Sequence, residues 1–375
     1  MLSGVSLELD RSMQTYSGKR SSSLPALTLD DGATVAPVTL AYEAWGQLSP
    51  ERDNVILLCH ALTGDAHARD ESRPDDPRAG WWNPLVGPGR VFDTDRYYVI
   101  CSNVLGSCYG STGPTSPHPQ DCQPYRLRFP LVSVGDMVHA QRALLATLGV
   151  TRLKAVAGGS LGGLQSLEWA LANPALVERA IIIGAAPQLS AQGLAIDDIA
   201  RQAIMADARW RGGEYPPDDG PDAGLALARM LAMLTYTSAE GLEQRFGGRL
   251  ASPTNANADH WPTFGPRLDV ETYLHHQGEK LARRFDANTY LYLSSAMDRY
   301  VASPAAVARI QARTLAVGMS SDWLYPATQV KALALAISDA GGHARYAEIV
   351  SPDGHDAFLK EWDQLDALLR PFLDD

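Results

Sequence analysis

The chain alternates short, almost wholly apolar runs with longer stretches in which apolar residues recur every three or four positions. Asn54-Val-Ile-Leu-Leu-Cys-His60, Tyr97-Tyr-Val-Ile-Cys101, Leu153-Lys-Ala-Val156, Ala180-Ile-Ile-Ile-Gly184, Arg313-Thr-Leu-Ala-Val-Gly-Met319 and Tyr346-Ala-Glu-Ile-Val350 read as strands. Runs without polar alternation suit strands covered on both faces. Helical spacing marks 134–148, closed by Gly149 as a C-cap, and also 164–172 and 362–372. Strand and helix in alternation predict a mostly parallel sheet with flanking helices. Leu27-Thr-Leu29 and the run 38–45, with Asp30-Asp-Gly32 as a turn, predict an opening hairpin on the antiparallel edge of that sheet. Residues 1–25, rich in Ser, Gly and charge, are expected to form a loose arm.

The pattern changes after Ala186. From there to about Arg299, helical spacing dominates over 194–206, 222–235, 270–284 and 287–298, with Gly212-Gly213, Pro216-Pro217 and Gly247-Gly248 as breaks. Three parts are therefore expected: a core over 1–186, a helical insertion over 187–300 that caps the site, and the resumed core over 301–375.

Bulk properties narrow the classes. With 375 residues, 45% hydrophobic, 8 Trp and 14 Tyr, the chain can bury a large core. A formal net charge of −11 argues against nucleic acid or an anionic membrane as the main partner. Cys59, Cys101, Cys108 and Cys122 have no C-x-x-C spacing, so neither a zinc site nor a disulfide framework is expected, and a reducing cytoplasm is. No signal-peptide pattern opens the chain, and no apolar run reaches the ~18 residues of a bilayer span. No metal is predicted, because no His/Cys/carboxylate cluster has ligand spacing. The turn-rich 103–114 segment lacks the Gly-Lys-Ser/Thr of a P-loop and reads as structural.

The chemistry concentrates at Ala157-Gly-Gly-Ser-Leu-Gly-Gly163, between a strand and a helix. Gly158-x-Ser160-x-Gly162 fits the G-x-S-x-G nucleophile elbow, in which a serine sits on a sharp turn whose neighbours must lack bulk. The Leu161 amide then lies at a helix N-terminus, where it can donate to an oxyanion. A second donor is expected after an early central strand, and Leu62 in His60-Ala-Leu-Thr-Gly64 is the candidate, with His60 read as a loop anchor. Asp322 follows the strand ending at Met319, and His355 follows the last strand. Both are expected on the carboxyl edge of the sheet, in the order Ser, Asp, His. His355 would take the Ser160 proton during attack on an acyl carbonyl, and Asp322 would orient the imidazole. Asp353 and Asp356 lie too close in sequence to His355 to be obvious partners.

Taken together, His60-Ala-Leu-Thr-Gly-Asp-Ala-His67, Gly80-Trp-Trp82, Gly87-Pro-Gly89, Cys101-Ser-Asn-Val-Leu-Gly106, Gly110-Ser-Thr-Gly-Pro114, Gly158–Gly163, Arg283-Arg-Phe-Asp-Ala-Asn288, Ser321-Asp-Trp323 and Asp353-Gly-His-Asp356 resemble the homoserine O-acetyltransferases. The resemblance runs from about Tyr42 to Phe358. It implies an α/β-hydrolase fold with a helical lid. It also implies a ping-pong transfer of acetyl from acetyl-CoA, through Ser160, to homoserine in methionine synthesis. No permanently bound cofactor, a homodimer through the lid and a cytoplasmic setting go with it. It places Arg229 and Asp356 on the homoserine carboxylate and ammonium, charge-assisted contacts that suit an amino acid. Relatives that use succinyl-CoA resemble this chain but carry arginine where Leu324 stands, so acetyl is the expected donor. The Gln188–Gln192 stretch is similar to some succinyl-using relatives, and Leu161 and Leu164 stand where the family has methionines. Two alternatives remain at this stage: an O-succinyltransferase acting on homoserine or serine, and an esterase or thioesterase using the same three residues on water.

Overall fold

The computed structural model describes residues 18–76, 79–251 and 268–375. The first 17 residues of the expected arm, and 252–267 within the insertion, lie outside the described residues. The strands are β1 (Arg20–Leu24), β2 (Leu27–Thr28), β3 (Thr34–Val35), β4 (Val38–Trp45), β5 (Val55–Cys59), β6 (Tyr98–Ser102), β7 (Leu153–Gly159), β8 (Arg179–Ile183), β9 (Arg313–Met319) and β10 (Ala344–Ile349). The helices are α1 (Val134–Thr147), α2 (Leu161–Ala172), α3 (Ala191–Ala206), α4 (Asp222–Tyr236), α5 (Ala239–Arg245), α6 (Asp269–Ala282), α7 (Ala287–Asp298), α8 (Pro304–Val307), α9 (Ala327–Asp339) and α10 (Trp362–Asp374).

Eight strands form one sheet in the order β1-β4-β6-β5-β7-β8-β9-β10. From β6 to β10 every pairing is parallel, whereas β1–β4 and β4–β6 are antiparallel. The period-2 geometry of a strand sorts β5 between two cores. Val55, Leu57 and Cys59 face the cluster that α1 and α2 close, while Ile56 and Leu58 face one closed by Trp45, Trp82, Phe92 and α10. That two-sided burial is why the parallel strands read as continuous apolar runs.

The opening segment corrects the expected hairpin. Leu27–Thr28 pairs with Thr34–Val35 in a separate two-stranded ribbon, and the edge partner of β4 is Arg20–Leu24, part of the expected loose arm. An edge strand needs only its backbone groups to join a sheet, so Arg20-Ser-Ser-Ser-Leu24 carries no apolar run to announce it.

The helical excursion leaves the sheet after β8 and returns before β9. Its ends are fastened together: Gln188 bridges Val301, and the Ala302 N–H donates to the Pro187 carbonyl at 2.8 Å. Within it α4 packs against both α3 and α6 and also meets the 354–359 turn. Ser190, Ser238 and Asp286 cap α3, α5 and α7 with side-chain oxygens, satisfying orphan amides of the first turn.

One buried polar network links the helices to the sheet's active edge. Gln141 on α1 donates to Gln165 Oε1 on α2 at 2.8 Å and accepts from the Trp169 indole at 2.7 Å. Gln165 Nε2 donates to the carbonyls of His60, 3.3 Å, and Leu161, 3.2 Å. Gln141→Leu leaves the Gln165 carbonyl and the Trp169 indole unpaired in a dry interior, at about 1–3 kcal/mol per stranded group. The urea midpoint is expected to fall accordingly; an unchanged midpoint would contradict the role assigned to this network.

Candidate active site

Ser160 stands between β7 and α2 with φ 59° and ψ −124°. A non-glycine residue in that region carries roughly 1–3 kcal/mol of strain, which only over-determined surroundings sustain. The surroundings are three segments in backbone contact. A Cβ on Gly162 would lie 2.0 Å from the Cys59 carbonyl oxygen, and one on Gly158 would lie 2.5 Å from that of Gly162. The Ser160 N–H donates to the Ile183 carbonyl at 3.0 Å, which ties the turn to β8 as well. The hydroxyl thus rides at the head of α2, whose first amide is that of Leu161.

Asp322 and His355 meet at the same edge. His355 lies in a short 3-10 turn, Gly354–Leu359, and its Nδ1 is 2.6 Å from Asp322 Oδ2, both side chains being buried. The other Asp322 oxygen accepts from the amides of Leu324, 2.9 Å, and Tyr325, 3.0 Å, so the carboxylate cannot swing. Burial pulls the imidazole pKa down, but attraction and hydrogen bonding from Asp322, with Asp356 adding, leave it above the usual histidine value. His355 Nε2 is buried and has no hydrogen-bond partner among the described residues. It lines one cavity with Ser160, Leu62, Arg229, Tyr236 and Asp356. Asp353 is engaged elsewhere, with Lys360 at 2.7 Å. A buried base oriented by a carboxylate, with its second nitrogen unpartnered and a hydroxyl lining the same cavity, has the parts needed to move a proton off that hydroxyl.

Leu62 also borders that cavity, at the corner of a turn closed by the Gly64 N–H on the Ala61 carbonyl at 2.9 Å. Among the described residues no protein acceptor engages the N–H of Leu62 or of Leu161. His60 is an anchor: its Nε2 accepts from the Val104 amide at 3.1 Å, and its Nδ1 lies 2.8 Å from the Ala61 carbonyl. The 103–114 segment is a packed structural loop, with Ser111 donating to the Asn103 carbonyl at 2.8 Å. The tryptophans of the long 65–90 loop are ordered, Trp82 donating to the Phe358 carbonyl at 3.0 Å, three residues past His355. On the opposite rim Arg284 donates to the Thr63 carbonyl at 2.9 Å.

Arg229 and Asp356 reach the cavity from different elements, one from α4 and the other from the His355 turn. Neither has an ion-pair partner among the described residues; the guanidinium instead lies over the Tyr236 ring, 5.2 Å from its centroid. Burial raises the Asp356 carboxyl pKa, with Lys360, Arg229 and His355 opposing the rise. Tyr236 was not singled out from the sequence; its seven-residue offset from Arg229, two turns along one helix face, was the available signal. Leu324 is buried with Ala186, Leu189 and Tyr325 and borders an adjoining cavity that also touches Ser160 and Leu62. Away from the site, ligand atoms of Asp30, Asp136 and His139 lie within 4.8 Å of one another, a grouping that sequence spacing did not suggest. Both Asp136 oxygens already accept from backbone amides, those of Asp30 and Ser133.

Comparison with known proteins sharpens this picture. The family described as alpha/beta hydrolase fold matches residues 54–361. A homoserine O-acetyltransferase of Symbiobacterium thermophilum is 50% identical over 92% of this chain and 91% of its own. One from Carboxydothermus hydrogenoformans is 44% identical over 93% of each. The crystal structure of homoserine O-acetyltransferase from Bacillus anthracis superposes with a TM-score of 0.86 at 28% identity, covering 97% of this chain and 99% of that one. Esterase E22 superposes with the same TM-score at 29% identity, covering 95% and 99%. Identity at this level over nearly the whole length places the chain in the homoserine O-acetyltransferase family of the α/β-hydrolase fold.

Proposed function

We propose that this protein transfers an acetyl group from acetyl-CoA to the hydroxyl of L-homoserine through an acyl-serine, with Ser160 as nucleophile, His355 as base and Asp322 as its orienting carboxylate. The observation that carries this reading is the buried 2.6 Å His355–Asp322 contact, with Nε2 left without a partner among the described residues and His355 lining the same cavity as Ser160, Arg229 and Asp356. His355 takes the Ser160 proton as Oγ attacks the thioester carbonyl, and the N–H groups of Leu62 and Leu161 receive the oxyanion. The C–S bond breaks and the thiolate leaves with the proton from His355. The homoserine hydroxyl then gives its proton to His355, attacks the acyl carbon, and Ser160 recovers its proton as O-acetyl-homoserine departs.

Arg229 and Asp356 are assigned to the acceptor's carboxylate and ammonium, for which their unpaired state suits them. Leu324 offers no counter-charge to a second carboxylate, which favours acetyl over succinyl. The reading includes no permanently bound cofactor, a core over 1–186 and 301–375, and a lid over 187–300. The homodimer it includes is supported by exposed Ile199 on α3 and Leu227 on α4, apolar surface that a second copy would cover. A cytoplasmic setting is supported by the four free cysteines. No helix among the described residues is long and apolar enough to cross a membrane.

The central test follows CoA release with acetyl-CoA alone and after homoserine is added. Sustained release is expected only with homoserine, and Ser160→Ala should lose several orders of magnitude in kcat. Release at full rate without an acceptor would replace transfer by hydrolysis. The pH profile carries the next expectation. Since the base must be neutral and His355 titrates above the ordinary histidine value, kcat/KM should fall as pH drops through an apparent pKa above 6.5. Asp322→Asn removes the larger of the influences that raise it, leaving Asp356, so the limb should move to lower pH while kcat drops by roughly 10³–10⁴; an unmoved limb would show that some other group is titrating. For the acceptor, Arg229→Ala should raise the homoserine KM by roughly 10–100-fold, the worth of a charge-assisted contact, while acyl-enzyme still forms. An unchanged homoserine KM would remove Arg229 from the acceptor site.

A further inference from the structure

A second cavity touches Ser160 besides the one that holds His355, Arg229 and Asp356. It contains none of those three, and the two cavities share Leu62, Ser160 and Tyr236. Most of its wall comes from the helical excursion: Ile196 and Ala200 on α3, Ala232 on α4 and Met297 on α7. Leu324, after β9, faces them. About 10 Å³ is left to the centre of a water-sized group, room for one such group and no more. The polar members of the wall bring no charge to it near neutral pH. Thr235 spends its hydroxyl on the Ala232 carbonyl at 2.8 Å. Burial raises the Tyr236 and Tyr290 phenols, and it is the main cause that pushes the Asp197 carboxyl up to about 8.

We propose that this cavity seats the methyl of the acetyl group, and that Ile196, Ala200, Ala232 and Met297 hold the donor to two carbons by shape. The inference rests on the acyl-serine reading above. An acyl carbon on Ser160 is trigonal, with Oγ, the carbonyl oxygen and the methyl in one plane. The oxygen goes to the N–H groups of Leu62 and Leu161. The attacking or leaving group takes the face served by His355, and with it the cavity that holds Arg229 and Asp356. The methyl needs the remaining corner of the plane, and the second cavity is space at Ser160 clear of the base and of both charges. A methyl is about the size of the single group that fits there. Each further methylene would need volume that Ile196 and Met297 already fill, and close-packed walls yield such volume only at a cost. A side chain larger than alanine at 200 or 232 would take the place of the methyl itself. Leu324 lacks a counter-charge for a second carboxylate, but that lack is indifferent to an uncharged propionyl chain; this wall is not.

The experiment measures kcat/KM and acyl-enzyme mass with acetyl-CoA, propionyl-CoA and butyryl-CoA on the intact enzyme. The quantity read is the propionyl-to-acetyl ratio of kcat/KM within one preparation, in which any loss of folded protein cancels. Wild-type enzyme is expected to be roughly 10–200-fold poorer with propionyl-CoA, the worth of one methylene in a closed apolar pocket, and poorer again with butyryl-CoA. Met297→Ala and Ile196→Ala enlarge the cavity from two different helices, and each should raise the ratio by at least about tenfold. Ala200→Val and Ala232→Val fill it and should lower the ratio further. Wild-type turnover of propionyl-CoA at the acetyl rate, or a ratio unmoved by both enlarging variants, overturns the proposal and leaves the acetyltransferase reading intact. If wild-type enzyme forms no acyl-enzyme with acetyl-CoA, the functional reading fails and this one falls with it.

Discussion

Everything at the active edge depends on backbone meeting backbone where β5, β7 and α2 converge. A side chain at Gly162 would collide with the Cys59 carbonyl, and one at Gly158 with the carbonyls of Gly162 and Cys59. Because those three segments touch, Ser160 is held in a backbone region that it would leave if the packing relaxed. The same contact brings the loop after β5 beside the serine, which is how Leu62 and Ser160 come to line one cavity although 98 positions separate them. Gln165 reinforces the junction by holding the carbonyls of both His60 and Leu161.

Around that fixed point the protein uses buried charge in two opposite ways. Asp322 is surrounded by partners, two amides on one oxygen and the His355 imidazole on the other, which hold its carboxylate in place. Asp197 has burial and a second carboxylate for company, and its pKa is pushed up to about 8. Arg229 and Asp356 line the cavity without an ion-pair partner among the described residues, which is costly unless a ligand completes them.

Much of this was legible in the chain. Buried parallel strands are announced by unbroken apolar runs, and β9 and α7 begin and end where the pattern places them. The elbow is legible because crowding forces its glycines, and strand ends are legible because polar residues follow apolar runs abruptly, as at Met319 to Asp322. Other features were not. β1 joins the sheet chiefly through its backbone, with Leu24 its one buried side chain, so its serines carry no signal. α9 lies between β9 and β10 and passed unread, its Val330, Leu333, Ala334 and Ile337 being the residues that meet the core. Asp197 and Arg201, four apart on a helix, look like an ordinary surface pair; Asp298, nearly a hundred residues on, is what draws them inward, and no local pattern encodes that meeting. Tyr236 likewise gains its place under Arg229 only once α4 has folded.

The fastening of residues 187–188 to 301–302 bears on how such a molecule can change over generations. When both ends of a long excursion are joined at one spot on the sheet, the platform beneath experiences it as a short hairpin whatever its internal length. Added or lost turns out there need not shift β8 or β9, and the entropy of closing a longer excursion grows only slowly with its size. Arg229, proposed to recognise the acceptor, stands on the detachable side of that knot, while the proposed triad of Ser160, Asp322 and His355 stands on the other. Such a division lets selectivity drift while the bond-making apparatus stays where it is, which is one physical route by which transferases and esterases come to share one scaffold.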